Sequence, residues 1–296
     1  MASVSDMTAA SRVGLVAGWG RFPVVVAEAI RRQGHELFCL GIRDHADARS
    51  LAAICSDYHE VGLAQLGAAI RYFRRHDISQ ATMAGKIHKV RLFHRFAWLR
   101  HIPDWTCLKT FYPHFIRGNK DRRDDTLLLA IVQAYADAGI RFAPATDFAP
   151  ELLVKLGQLA GPPLTELQRK DVEFGWRLAK EMGRLDVGQT VVVKGQAILA
   201  VEAIEGTDEC IRRAGVLCTA GGFTVVKVAK PQQDMRFDVP TIGLGTLETI
   251  ATAGGRVLAI EADKTVLVDQ DPFVARAKQL KIAVVAVEDP TPVTPG

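Results

Sequence analysis

Residues 13–32 read VGLVAGWGRFPVVVAEAIRR, and their order decides the fold. Val13–Ala17 is a short apolar run of strand type, Gly18-Trp19-Gly20 is a turn, and Pro23–Arg32 keeps helical spacing. Pro23 suits the first turn of a helix, where a missing N–H removes no bond. Strand, glycine turn and helix in sequence open a β-α unit, and the alternation recurs downstream. His35–Gly41 is strand-like. Val61–Arg75 has helical spacing with Leu63, Leu66, Ile70 and Phe73 on one face, and Ile78–Ala84 is a further strand. Asp125–Ala138 is a helix with Asp124 or Asp125 near its start and Gly139 as its stop. Repeated units of this kind predict a mostly parallel, Rossmann-like sheet covered by helices over residues 1–143.

The stretch 144–163 contains four prolines and two glycines and is expected to be a linker. Beyond it Leu164–Met182 is an amphipathic helix closed by Gly183. Strand-like runs follow at Thr190–Val193, Ala197–Ala203, Phe223–Ala229, Arg256–Glu261, Thr265–Asp269 and Ile282–Val287. Helical patterns at Asp208–Ala214, Thr246–Ala253 and Pro272–Leu280 are interleaved among them. Residues 164–296 are therefore expected to form a second, mixed α/β domain.

Composition narrows the class. With 48% hydrophobic and 24% charged residues over 296 positions, the chain is an ordinary globular one, which excludes disorder, collagen and coiled coil. No run approaches the roughly 18 apolar residues of a membrane span, and the N-terminus does not read as a signal peptide. Five cysteines without a C-x-x-C pair argue against a disulfide framework or a thiolate zinc site and fit a reducing cytoplasm. All eight histidines lie at or before His114, so chemistry in the second half must use other groups. No P-loop and no nucleophile elbow is present. Gly118-Asn119-Lys120-Asp121 lacks the histidine that a metallophosphoesterase signature requires, and that fold is excluded.

Charge is concentrated. Residues 86–123 hold ten lysines and arginines against Asp104 and Asp121, with seven aromatic residues among them: Phe93, Phe96, Trp98, Trp105, Phe111, Tyr112 and Phe115. An anionic partner is the natural complement. Single-stranded nucleic acid, an anionic membrane surface, and a solvated helix face with core aromatics behind it all answer to this pattern. The apolar content (Leu92, Phe93, Phe96, Trp98, Leu99, Ile102) favours lipid.

Three further segments suit chemistry. Gly18-x-Gly20, between strand and helix, fits a phosphate or nucleotide contact, and equally a tight turn with no ligand; Pro23 replaces the third glycine of the dinucleotide pattern. Glu202, Glu205, Asp208 and Glu209 cluster around Gly206-Thr207. Lys227, Lys230, Gln232, Gln233, Asp234, Arg236 and Asp238 cluster around Pro231 and Pro240. Oxygen ligands without histidine or thiolate suit magnesium, and neighbouring cations suit phosphoryl charge. Helix capping by Thr207 and ordinary turn bonds from the aspartates are the plain alternative.

Four segments are similar to a known family: Leu15-Val16-Ala17-Gly18-x-Gly20-x-x-Pro23, Asp124-Asp125-x-Leu127-Leu128, Glu202-Ala203-x-Glu205-Gly206-Thr207-Asp208, and Lys230-Pro231-x-Gln233-Asp234-x-Arg236-x-Asp238-x-Pro240-Thr241. Together they resemble the UDP-2,3-diacylglucosamine pyrophosphatases of lipid A biosynthesis, in Gram-negative bacteria that lack the metallophosphoesterase version. The resemblance implies two domains with the lipid substrate held between them. It implies magnesium-dependent hydrolysis of the substrate diphosphate to UMP and 2,3-diacylglucosamine 1-phosphate, in the cytoplasm and peripheral to the inner membrane.

On that basis Asp238 and Asp234 are expected to hold the metal or position water, with Glu202, Glu205 and Asp208 completing the carboxylate wall. Lys227, Lys230 and Arg236 would meet phosphoryl charge. Gly18, Gly20, Lys86, Thr207 and Gln233 would join Lys227 in contacting substrate. No nucleic-acid partner is expected, and homodimerisation is left open. A nucleotide-cofactor dehydrogenase or regulator built on the first domain, and a nucleic-acid module built on residues 86–123, are the competing classes.

Overall fold

The structure, a computed structural model, describes residues 11–87, 102–116, 124–236 and 239–289, with only the backbone of 113–116 and 124–126. The chain divides into two units, one of Met1–Ala149 with Asp234–Phe237 and one of Pro150–Gln233 with Asp238–Gly296.

In the first unit the described elements are β1 (Arg12–Ala17), α1 (Phe22–Arg32), β2 (Glu36–Ile42), α2 (Ala48–Ile54), β3 (Asp57–Val61), α3 (Leu66–Arg75), β4 (Gln80–Ala84), α4 (Trp105–Ile116), α5 (Asp124–Asp137), β5 (Arg141–Phe142) and α6 (Ala145–Phe148). The strands form one sheet in the order β3-β2-β1-β4-β5, parallel throughout. The helical spacing read from Val61 begins only at Leu66, because Val61 closes β3. That strand, Asp57–Val61, buries little besides Val61, so no apolar run marks it. Leu66, Ala69, Ile70 and Phe73 of α3 pack with Phe38, Leu40, Ala81, Tyr135 and Phe142 in one core. Strand order reverses between β1 and β4, and in open sheets of this kind ligands gather outside the carboxyl ends of the strands at that reversal.

In the second unit a short 3-10 turn (Pro150–Leu152) precedes β6 (Gly157–Ala160), α7 (Glu166–Arg184), β7 (Thr190–Lys194), β8 (Ala197–Val201), α8 (Thr207–Leu217), β9 (Thr224–Lys227), β10 (Thr241–Ile242), α9 (Leu244–Ala253), β11 (Val257–Glu261), β12 (Val266–Leu267), α10 (Gln270–Leu280) and β13 (Ala283–Val287). The main sheet runs β6-β13-β11-β9-β7-β8. Its centre, β9, β11 and β13, is parallel, while β6 and the β7–β8 hairpin pair antiparallel at the edges. Alternate residues serve opposite faces. Val191, Val193, Val226, Val257 and Ala259 meet Val172, Trp176 and Ala179 of α7. Val192, Val225, Leu258 and Ile260 meet Cys210, Ile211, Leu247, Ile250 and Phe273 from α8, α9 and α10. Burial on both faces explains the continuous apolar strands.

The stretch expected as a linker, 144–163, is folded. It contributes α6 to the first unit and β6, an edge strand on β13, to the second, and the division falls between Ala149 and Pro150. Its prolines and glycines mark turns and an irregular edge, where Gly157 has φ +125° and missing ladder donors do no harm.

Candidate active site

At the carboxyl end of β1 the glycine turn meets backbone. Gly18 N–H donates to Ala84 O at 2.8 Å, Trp19 N–H donates to Lys86 O at 2.8 Å, and Lys86 N–H donates back to Trp19 O at 3.0 Å. A Cβ on Gly18 would stand 2.9 Å from Lys86 O, and one on Gly85 (φ +95°) 2.7 Å from Pro23 Cγ. The close approach that glycine permits is therefore between the loops after β1 and β4. This brings Gly18, Gly20 and Lys86 together at the strand-order reversal. A Cβ on Gly20 (φ +108°) would meet no heavy atom of the described residues within 4 Å, and α1 starts without a side-chain cap among them.

In the second unit the polar end of the sheet is built from side chains. Lys227, the last residue of β9, is 6% exposed, and Glu202, just past β8, is 8% exposed. Thr207 opens α8 between them. Lys227 Nζ donates to Thr207 Oγ1 at 3.0 Å, and Thr207 Oγ1 donates to Glu202 Oε1 at 3.1 Å. Thr190 Oγ1 lies 3.4 Å from Thr207 Oγ1. Glu202 Oε2 is buried with no hydrogen-bond partner among the described residues. Burying both charges carries a desolvation cost that linked hydrogen bonds offset in part.

Other acidic residues of the cluster face elsewhere. Glu205 pairs with Arg213 at 2.5 Å, and its carboxyl is held below the usual range by its own backbone amide first and by Arg213. Asp208 Oδ1 accepts from Thr246 Oγ1 at 2.9 Å. The expected wall of Glu202, Glu205 and Asp208 is thus parted among three partners. Among the described residues no group of three or more His, Cys, Asp and Glu side chains is placed to hold a metal ion.

The turn after β9 is tightly bonded. Gln233 Oε1 accepts from Lys230 N–H at 2.8 Å, Gln233 N–H donates to Lys230 O at 3.0 Å, and Lys230 Nζ reaches Asp186 Oδ1 at 2.6 Å. Gln233 Nε2 is buried and unbonded among the described residues. Asp234 takes the Arg236 guanidinium in a two-pronged contact, Nε to Oδ1 at 2.9 Å and Nη2 to Oδ2 at 2.5 Å. That bonding to Arg236 lowers the Asp234 pKa, which makes Asp234 a weak base. Asp238 and much of the basic stretch (88–101, 117–123) lie outside the described residues.

Sequence reasoning missed Thr190, Lys180 and Glu261. Thr190 looked like any strand threonine, and Lys180 pairs with Glu261 across 81 positions, a distance no local motif spans. In the basic stretch, Cys107 of α4 is buried and Phe111 packs on the core, while Trp105 (79% exposed), Leu108 and Tyr112 share an open face. Asp104 caps that helix through Cys107 N–H at 2.9 Å. No helix among the described residues is long and apolar enough to cross a membrane.

Comparison with known proteins gives a consistent picture. Residues 12–152 match the LpxI N-terminal domain and residues 155–285 the LpxI C-terminal domain. The UDP-2,3-diacylglucosamine pyrophosphatase LpxI of Caulobacter vibrioides is 29% identical over 284 residues, 94% of this chain and 98% of that protein. Among solved structures, the Campylobacter jejuni biotin carboxylase has 12% identity and a TM-score of 0.27, over 72% of this chain and 43% of that one. The biotin carboxylase domain of Hydrogenobacter thermophilus 2-oxoglutarate carboxylase has 14% identity and a TM-score of 0.24, over 70% and 41%. Scores this low carry no argument about fold or function.

Proposed function

The chain belongs to the LpxI family, and from that premise we propose that it hydrolyses the diphosphate of UDP-2,3-diacylglucosamine to UMP and 2,3-diacylglucosamine 1-phosphate in lipid A biosynthesis, with magnesium. The observation that carries the proposal is the hydrogen-bonded chain Lys227–Thr207–Glu202, buried at its two charged ends, at the carboxyl end of the second sheet. A cation fixed in a protein-walled position meets phosphoryl charge with little reorganisation. Thr207 holds the lysine side chain through one hydrogen bond and is itself held by Glu202, so the ammonium has a set direction. Lys86, beside the glycine turn, is the corresponding cation of the first unit.

The residues fit a magnesium ion bound largely through the substrate. Magnesium usually takes one or two carboxylates together with phosphate oxygens and water. Glu202 has a buried oxygen without a hydrogen bond among the described residues, whereas Asp234 is engaged by Arg236 and Glu205 by Arg213. Glu202 and Asp238 are the ligands we propose; when bound, the ion supplies charge neutralisation at the diphosphate. Asp238 is also the group proposed to orient the attacking water, with Lys230 and Arg236 beside it in sequence. A nicotinamide-cofactor reading would rest on the glycine turn alone, whose closest neighbours are backbone atoms of residues 85 and 86.

The test is a phosphorus NMR assay with UDP-2,3-diacylglucosamine, with and without magnesium, in water enriched with oxygen-18. Magnesium-dependent release of UMP supports the proposal, and the position of the label tells which phosphorus water attacks. Absence of cleavage with any divalent cation would overturn it.

Peripheral attachment to the inner membrane belongs to the same proposal. It is supported by the open Trp105–Leu108–Tyr112 face of α4 beside a strongly basic sequence, a pairing suited to anionic lipid. Cosedimentation with phosphatidylglycerol vesicles but not phosphatidylcholine vesicles, weakened in Trp105→Ala, is the expected result. Equal behaviour on both would remove the membrane from the proposal.

A further inference from the structure

The turn Lys230–Gln233 is held from outside by residues that belong to none of the motifs. The β9 ladder ends at Lys227, and Val228 N–H still finds Gln189 O at 3.0 Å. Ala229, buried beyond the ladder, needs other partners for its amide and carbonyl. Glu261, at the end of β11 and 5% exposed, accepts the Ala229 N–H on Oε2 at 2.7 Å. Lys180 of α7 donates to Ala229 O at 3.1 Å and to both Glu261 oxygens at 2.8 and 2.6 Å. Lys264 adds a contact to Glu261 Oε1 at 3.0 Å, and Lys180 Nζ lies 5.3 Å from the Trp176 ring centre.

The same end of α7 continues the grip. A Cβ on Gly183 would lie 3.2 Å from Lys230 Cα and 3.2 Å from Pro231 Cδ, so the helix backs directly onto the turn. Asp186, just past the helix, takes the Lys230 ammonium. A neutral side chain could satisfy one amide and one carbonyl. A buried carboxylate with two lysines adds desolvation cost for little net stability, and what it adds in return is fixed geometry, since charged hydrogen bonds are short and directional.

We propose that Glu261 and Lys180 are positioning residues for the hydrolysis, fixing Ala229 so that Lys230 and Gln233 stand in register with Lys227. This rests on the pyrophosphatase reading for its link to turnover, but the clamp itself can be read independently of activity. Neither residue touches substrate; each acts through the turn.

The experiment compares full-length wild type with Glu261→Gln, Glu261→Ala and Lys180→Met by steady-state UMP release and by amide hydrogen exchange. A misplacement of the order of an ångström costs up to about 10²-fold in rate. Glu261→Ala and Lys180→Met are expected to lower kcat by about 10- to 100-fold with KM within about threefold. Glu261→Gln retains an acceptor for Ala229 N–H and should recover about tenfold of that loss. Amides of residues 229, 230 and 233 should exchange at least about tenfold faster in the alanine variant, while those of Val191–Val193 and Val225–Val226 keep wild-type protection. Unchanged exchange at 229–233 would overturn the proposal. So would unchanged kcat in both Glu261→Ala and Lys180→Met, or equal losses in Gln and Ala variants that track melting temperature. If Glu261→Ala does not fold, Lys180→Met decides by the same two readouts. A wild-type protein that releases no UMP defeats the pyrophosphatase reading, and the exchange data still judge the clamp.

Discussion

At the carboxyl end of β1 the polar groups that meet are backbone amides and carbonyls, Gly18 to Ala84 and Trp19 to Lys86, and the side chains around them are small or exposed. At the carboxyl ends of β9 and β11 they are side chains, buried or half-buried and linked: Lys227 to Thr207 to Glu202, and Lys180 to Glu261. Both sheets have a parallel core, and both present lysines at the same kind of strand end, Lys86 in the first and Lys227 in the second. Glycine at a strand end reports a close approach, here of one loop to another, whereas a buried charge must be matched by a specific partner.

The contrast is broken most directly at Lys227. Replacing it by Met should lower kcat by about 10²- to 10³-fold, as loss of one preorganised donor does, with the circular dichroism spectrum retained. Turnover within a few-fold of wild type would move the chemistry away from the second sheet. Thr207→Val should cost about 10- to 100-fold in kcat/KM by uncoupling Lys227 from Glu202, and Thr207→Ser should restore most of it, because the hydroxyl is what both partners use. Equal loss in both variants would mean that the methyl group, and packing, matter more than the bridge.

For the first unit the expected effect is on stability. Gly85→Ala forces a side chain into a φ of +95° with Pro23 Cγ at 2.7 Å, so it should lower unfolding free energy by about 1–3 kcal/mol or more. Gly20→Ala, whose Cβ would meet no atom of the described residues within 4 Å, should lose only the conformational part, about 1–2 kcal/mol. Denaturant melts would check both, and equal losses would remove the loop-against-loop account.

The smallest effect concerns acid. Asp234 is held below its ordinary value of 3.8 chiefly by its hydrogen bonds to Arg236. The unfolded chain then binds the proton more readily, so this pair's contribution is complete above the ordinary value and is lost as pH falls through the lower folded value. Asp234→Asn should flatten the pH dependence of stability only below about pH 4 and leave its slope near neutrality unchanged. A change between pH 6 and 8 would reopen Asp234 as a titrating catalytic group.

The α/β alternation was legible because strands covered on both faces are continuous apolar runs, as in β7, β9, β11 and β13. The edge strands β3 and β6 escaped, since β3 has mostly exposed residues and β6 begins on Gly157 amid prolines, whereas the edge strand β8 was read from its apolar run. Residues 144–163 therefore looked like a linker. Within the site, Lys227, Thr207 and Glu202 could be nominated from composition, but not their order of bonding, nor that Glu205 and Asp208 turn to Arg213 and Thr246.

Taken alone, the sequence determined two α/β units, a glycine turn after the first strand, a second half without histidine whose candidate groups are carboxylates, lysines and an arginine, and the family those motifs resemble. These follow from periodicity and residue type, which are local. It took the folded molecule to show which carboxylate keeps a buried oxygen unbonded among the described residues, that Gly18 meets the backbone of residues 85 and 86, and that Lys180 and Glu261 grip Ala229. Those depend on which residues distant in sequence are buried side by side, and burial is what turns an ordinary lysine or glutamate into one that must have a partner.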